Sequence, residues 1–176
     1  VLAALGADGK PVYANICNDA GAPAGTCPFG AQTTNQANFD QWYRDVAGVN
    51  VTKVTRMMLA RDAASVYAIN NSAFFPWDGY ATSWVGRGSE LASDAHDAGF
   101  TSEVRTYFEF RSDQAPQTLT FSGDDDVWVF INRKLVVDIG GTHTQIDRSV
   151  TLDANTATAL QLESQRIYEV ALFHAE

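Results

Sequence analysis

Apolar positions along the chain recur mostly with a period of two. From Thr101 to Phe110, Val104, Thr106, Phe108 and Phe110 alternate with polar or charged neighbours, the pattern of a half-buried strand. Short β-branched or aromatic runs follow at 119–122, 127–132, 134–139, 149–152 and 167–173, divided by turn pairs such as Asn132-Arg133 and Gly140-Gly141. Residues 50–59 and 63–69 have the same character, and a shorter run at 12–16 precedes them. Within 127–131, Val127, Val129 and Ile131 share one face while Trp128 and Phe130 share the other, which predicts a central strand buried on both sides. The helical period occurs once: Phe39, Trp42, Tyr43 and Val46 stand at i, i+3, i+4 and i+7, with Asn38 as N-cap and Gly48 as a stop. This predicts one short helix near 38–47 in an all-β, antiparallel sandwich or barrel. The run Phe74-Phe75-Pro76-Trp77-Asp78-Gly79 is a turn, because its proline cannot donate to a ladder.

Length and charge narrow the classes. The 176 residues predict a single module, residues 1–176, with enough chain to bury a core. Twelve basic against 21 acidic side chains give a net charge of −9, so the chain's own field opposes nucleic acid and anionic membranes. The longest apolar run, Val127 to Ile131, is far short of the roughly 20 residues that span a bilayer, and no membrane insertion is expected. Val1 stands first, with no basic segment leading into an apolar one, which predicts a processed or excised chain. Cys17 and Cys27 lie in a Gly/Pro/Ala-rich stretch with no His or third Cys to complete a zinc site. A local disulfide would staple that loop; the other reading is two free thiols.

The densest chemical signal is Ser122-Gly123-Asp124-Asp125-Asp126. Three adjacent carboxylates repel one another, and a calcium ion with six to eight oxygen ligands is a natural counter-charge. A solvated acidic turn is the other reading. His143 follows two glycines that let the backbone approach a ligand, or it is a turn histidine held by local hydrogen bonds. Trp77, Tyr80 and Trp84 offer faces for stacking on a sugar, or they cover one end of the core, and Asp78 either faces the acidic turn or forms its own. No nucleophile elbow, zinc-protease helix or phosphate-binding glycine loop occurs, and His96, His143 and His174 fall in no catalytic spacing, so no enzyme is expected.

The segments FDQWYRDVAGVN (39–50), FFPWDG (74–79), GFTSEVRT (99–106), LTFSGDDDVWVFIN (119–132) and KLVVDIGGTH (134–143) together resemble the fibro-slime domain of secreted and surface proteins. That domain is similar to the protective-antigen-type lectin family. The resemblance implies an antiparallel, jelly-roll-like β-sandwich whose adhesin members bind sugars through calcium. It implies that Asp124 and Asp125, joined by a cis peptide, ligate the ion, with Asp126, at a position often occupied by glycine, either a third ligand or a turn residue. The family's second ligand loop follows the last strand, whereas here that strand runs into His174-Ala175-Glu176. From that departure the expectation is an incomplete calcium shell, or one whose missing oxygens come from water or a partner chain, together with an open sheet edge able to accept a strand from a neighbour. The expected function is a calcium-dependent carbohydrate-binding adhesion module, secreted or on the cell surface, with cell-surface polysaccharide as partner. The alternative is a structural subunit of an extracellular matrix or filament in which calcium only stiffens the fold.

Overall fold

The structure is a computed structural model that describes residues 1–14, 35–78, 96, 99–141 and 143–176. Cys17, Cys27, Tyr80 and Trp84 lie outside the described residues. The length predicts one module; the chain divides into two compact units, one built from Val1–Tyr43 with Thr101–Glu176, the other from Arg44–Phe100.

The first unit is an antiparallel β-sandwich. Its strands are β3 (Thr101–Phe110), β4 (Thr118–Gly123), β5 (Asp126–Ile131), β6 (Lys134–Ile139), β7 (Ile146–Thr151) and β8 (Arg166–Ala175). β1 (Ala60–Arg61) and β2 (Tyr67–Ala68) belong to the second unit. One sheet has the order β3-β8-β5-β6, the other pairs β4 with β7, and all the pairs are antiparallel. The hairpin from β5 to β6 turns on Asn132 and Arg133, whose φ values of 47° and 67° supply the left-handed pair that matches strand twist.

β5 is buried on both faces, as its two-sided pattern predicts. Val127, Val129 and Ile131 face a core shared with Phe110, Ile139, Val170 and, from the β4–β7 sheet, Leu119, Phe121 and Val150. Trp128 and Phe130 face a second cluster with Leu5, Phe39, Ala171 and Phe173, flanked by Tyr13, Trp42 and Tyr43. The N-terminal segment thus covers the side of the large sheet that β4 and β7 leave open. It is anchored where Leu135 N–H donates to Ala3 O at 2.9 Å and Leu5 N–H to Arg133 O at 3.0 Å, along the start of the β6 edge. β3, at the opposite edge, has only β8 as a strand partner among the described residues.

The helices differ from expectation. α1 spans Gln36–Phe39 with Asn35, not Asn38, as N-cap. Beyond Phe39 the bonds tighten to three-residue spacing, Gln41 N–H to Asn38 O and Trp42 N–H to Phe39 O. Tyr43 then takes a φ of 61°, which ends the helix before Val46. A second helix, α2 (Ala154–Leu160), is capped by Asp153, whose side chain accepts from Thr156 N–H, and it buries Ala157 and Leu160. Among the described residues no helix is long and apolar enough to cross a membrane.

In the second unit no strand forms within the stretch expected at 50–59, β1 lying just beyond it, and the strand expected at 63–69 shrinks to β2; each is two residues long. β-branched residues hold a strand only where a packed face rewards them. Here Val54 is 92% and Met58 80% exposed, and Val49, Val51, Val66 and Ile69 are exposed with them.

Tyr43 supplies a test of the second cluster. Its ring meets Phe173 edge-on at 5.0 Å while its hydroxyl is buried with no hydrogen-bond partner among the described residues. Burial first, then the charges of Asp126 and Glu103, push the phenol well above its ordinary value. The folded state therefore holds this proton more tightly than the unfolded chain, and stability falls as pH rises past about 10, where an unfolded tyrosine ionises. Tyr43→Phe removes the unpaired hydroxyl and is expected to gain about 1 kcal/mol at neutral pH. It should also flatten the alkaline loss, both read from urea midpoints at neutral and alkaline pH.

Candidate metal and glycan site

The acidic turn is a crossing point between the two sheets. β4 ends at Gly123 in the two-stranded sheet and β5 begins at Asp126 in the four-stranded one, so Asp124 and Asp125 form the link. β6 ends at Ile139 in the four-stranded sheet and β7 begins at Ile146 in the two-stranded one, so the chain crosses back between them. The end of β8 reaches the same place, since Ala175 pairs with Asp126 and His174 with Val127.

Side chains and backbone lace the two crossings together. His143 N–H donates to Asp124 O at 3.1 Å, Gly141 N–H to Asp126 Oδ1 at 2.5 Å, and Gln145 Nε2 to Ser122 Oγ at 2.7 Å. Gly141 has a φ of 99°, open to glycine at little cost. At Gly140 the constraint is space: a Cβ there would lie 3.1 Å from Asp138 Oδ1, 3.2 Å from Trp128 Nε1 and 3.4 Å from Asp126 Oδ1. It would wedge apart the 3.0 Å bond that Trp128 Nε1 donates to Asp138 Oδ1. Gly140→Ala is expected to cost about 1–3 kcal/mol, as overpacking does, measured as a lower urea midpoint with an unchanged slope.

The end of the sandwich is electrostatically tense. Burial first, and then Asp124, raise the Asp125 carboxyl above the ordinary range, against the opposing pull of His174 and His143. Glu176 is raised by burial and by Asp125 and Asp124. Asp126 is raised mainly by burial, although the Gly141 N–H favours its charge. Burial lowers His174, whose Nε2 lies 3.1 Å from Glu176 Oε2.

His143 has a defined tautomer. Its Nδ1 lies 2.9 Å from Thr144 O, and a carbonyl can only accept, so Nδ1 carries the proton. Nε2 is buried and without a hydrogen-bond partner among the described residues.

These donors fit a hard cation in kind, because carboxylate oxygens dominate. Asp124 and Asp125 are the residues that would hold it. Asp126 is engaged by Gly141, and among the described residues no three His, Cys, Asp or Glu side chains converge on one point. Among the described residues no peptide bond is cis, so Asp124–Asp125 is trans, in contrast to what the resemblance implies. The His143 and Gly141 bonds to this turn are satisfied with the trans form and supply nothing to offset the roughly 2.5–4 kcal/mol of a cis bond.

Trp77 and Asp78 belong to the second unit. There Asp78 Oδ2 lies 2.7 Å from His96 Nδ1, and the His96 ring stacks on Phe75 at 4.1 Å. Lys53 Nζ sits 5.9 Å from the Trp77 ring centre, so a cation already occupies that face. Sequence reasoning missed Glu176 and His174 as neighbours of the acidic turn; the only signal for them is the pairing of β8 with β5.

The chain is similar to proteins of Dictyostelium discoideum. It is 38% identical to Protein psiD over 151 residues, which cover 85% of this chain and 28% of that protein. It is 34% identical to Protein psiR over 163 residues, covering 87% of the chain and 15% of the relative. With Protein psiC it shares 31% identity over 158 residues, 87% of the chain and 29% of the relative. The chain thus spans less than a third of the length of each of these relatives. No known protein family's profile matches it, and no solved structure matches it.

Proposed function

We propose that this protein is a calcium-dependent carbohydrate-binding adhesion module of the fibro-slime type, working outside the cell, and not an enzyme. The observation that carries the reading is the pair Asp124–Asp125 on the link between the two sheets, beside Glu176: burial and then Asp124 hold Asp125 above its ordinary range, and burial and then both aspartates hold Glu176 above its own. A divalent cation relieves that repulsion, and calcium bound there would supply an electrophilic anchor for sugar hydroxyls. The chain's residues fix the turn: His143 N–H holds the Asp124 carbonyl and Gly141 N–H holds Asp126. Two protein carboxylates leave most of a six- to eight-fold shell to other oxygens, which is where a glycan diol belongs. Affinity for one sugar is expected to be weak, with avidity from many copies on a surface.

The test is calorimetric titration of calcium into chelator-treated protein, followed by a glycan array with and without calcium. Saturable binding with Kd about 10⁻⁴–10⁻³ M and calcium-dependent glycan retention are the expected results. Calcium binding without glycan retention transfers the ion to a stabilising role; no calcium heat sinks the metal reading.

A second reading, a structural subunit of an extracellular matrix or filament, has one observation in its favour. The second unit exposes Val49, Val51, Val54, Met58, Val66 and Ile69, an apolar series of the kind that marks association surfaces. Sedimentation velocity over a concentration series separates the readings, since a filament subunit grows in mass with concentration and a monovalent lectin does not.

A further inference from the structure

Beside the acidic turn lies an open groove of about 450 Å³ lined by Asp138, Ile139, Gly140, His143, Thr144, Ile146 and Arg148. Its size falls in the roughly 300–1,000 Å³ range of small-molecule sites. We infer that this groove is the seat of the sugar ring, holding a neutral polyol between the Asp138 carboxylate and the Arg148 guanidinium. The inference rests on the glycan reading and adds to it a place and a chemical class.

The groove is continuous with the turn. Ile146 pairs with Gly123, one residue before Asp124, and His143 both lines the groove and donates its N–H to Asp124 O. Its polar complement is mixed. Arg148 spends one donor on the Asp147 carbonyl at 3.1 Å and has no carboxylate partner among the described residues, in a protein of net charge −9. Asp138 accepts from Trp128 through Oδ1, which fixes its carboxylate and leaves Oδ2 without a donor among the described residues. The Thr144 hydroxyl adds a group that can donate or accept. Ile146, half-buried above the core residue Ile139, supplies the apolar wall.

The charges select the ligand class. An anion drawn by Arg148 meets Asp138, and a cation drawn by Asp138 meets Arg148, so neither is held without repulsion. A ring with vicinal hydroxyls satisfies both, donating to Asp138 Oδ2 and accepting from the Arg148 fork, while its C–H face lies on Ile146. Among the described residues the groove has no Phe, Tyr or Trp lining, so specificity comes from hydroxyl geometry rather than from stacking.

The experiment follows backbone amide shifts of the whole labelled chain with saturating calcium, during titration with the methyl glycosides of mannose, glucose and galactose. At least one glycoside is expected to shift Ile139, Gly140, Thr144, Ile146 and Arg148 in a saturable way. Arg148→Ala should weaken that binding by about tenfold while the calcium midpoint stays where it was, and Arg148→Lys should recover part of the loss. Saturable shifts confined to the acidic turn or to the second unit, or an Arg148→Ala protein that binds as well as the wild type, overturn the groove and leave the glycan reading standing. Calcium binding with no shift from any of the three sugars overturns both.

Discussion

Phe130→Ala is expected to lower the stability of the sandwich by about 3–5 kcal/mol, the range for truncating a fully buried aromatic residue. Phe130 is fully buried on β5 and meets Phe173 edge-on at 5.8 Å, under a cover made by Leu5 and Phe39 from the N-terminal part of the chain. β5 is the strand that both clusters share, so a cavity on one face is opened beneath N-terminal segments that are tied to the β6 edge at Ala3 and Leu5. Since whole domains are stable by about 5–15 kcal/mol, the variant should sit near its folding threshold. Ile167→Ala, at a position 72% exposed on β8, is the control and should stay within about 0.5 kcal/mol of the wild type. Urea midpoints decide the matter: a loss under about 1 kcal/mol at Phe130 would mean that the N-terminal cover does not pack on it.

The parts of this architecture visible in the sequence are those decided by neighbouring residues. Alternation at 101–110 and the apolar run bounded by Asn132-Arg133 correspond to β3, β5 and β6 because each side chain's face is fixed by its position in the pleat. The two-faced burial of β5 was readable for the same reason, since aromatic and β-branched residues fill both of its faces. β7 begins at Ile146, earlier than the apolar signal at 149–152, because Asp147 and Arg148 are exposed and paired only through their backbone. α2 escaped because its seven residues bury only Ala157 and Leu160, too short a stripe to show a period. The helix expected at 38–47 failed at Tyr43, where a left-handed backbone breaks a spacing that was otherwise correct for Phe39, Trp42 and Tyr43 on one buried cluster. At the site, adjacency made Asp124 and Asp125 conspicuous. The contact of Asp126 with Gly141, the tautomer of His143 and the approach of Glu176 are long-range consequences of two sheet crossings and one strand pairing, which no local pattern encodes.

Replacing both Asp124 and Asp125 by asparagine is expected to abolish calcium binding while leaving the apo protein at least as stable as the wild type. Asparagine keeps the shape of each side chain and removes the charge, so the change isolates electrostatics from packing. In the calcium-free protein those charges are a burden, because Asp125 is raised by burial and by its neighbour and both aspartates raise Glu176 in turn. The structural bonds of the turn survive: His143 N–H donates to the backbone carbonyl at 124, and Gly141 N–H to the untouched Asp126. For the wild type, calcium at a hundredfold excess over Kd should add about 2.7 kcal/mol of stability, the linkage expected when only the folded state binds. That increment should vanish in the double variant, as should the calorimetric heat. If the variant loses the calcium increment but also unfolds more readily without calcium, the aspartates hold the crossing together and the metal is secondary to it. If it keeps the full increment, calcium binds elsewhere in the chain, and the glycan proposal loses its anchor at this end of the sandwich.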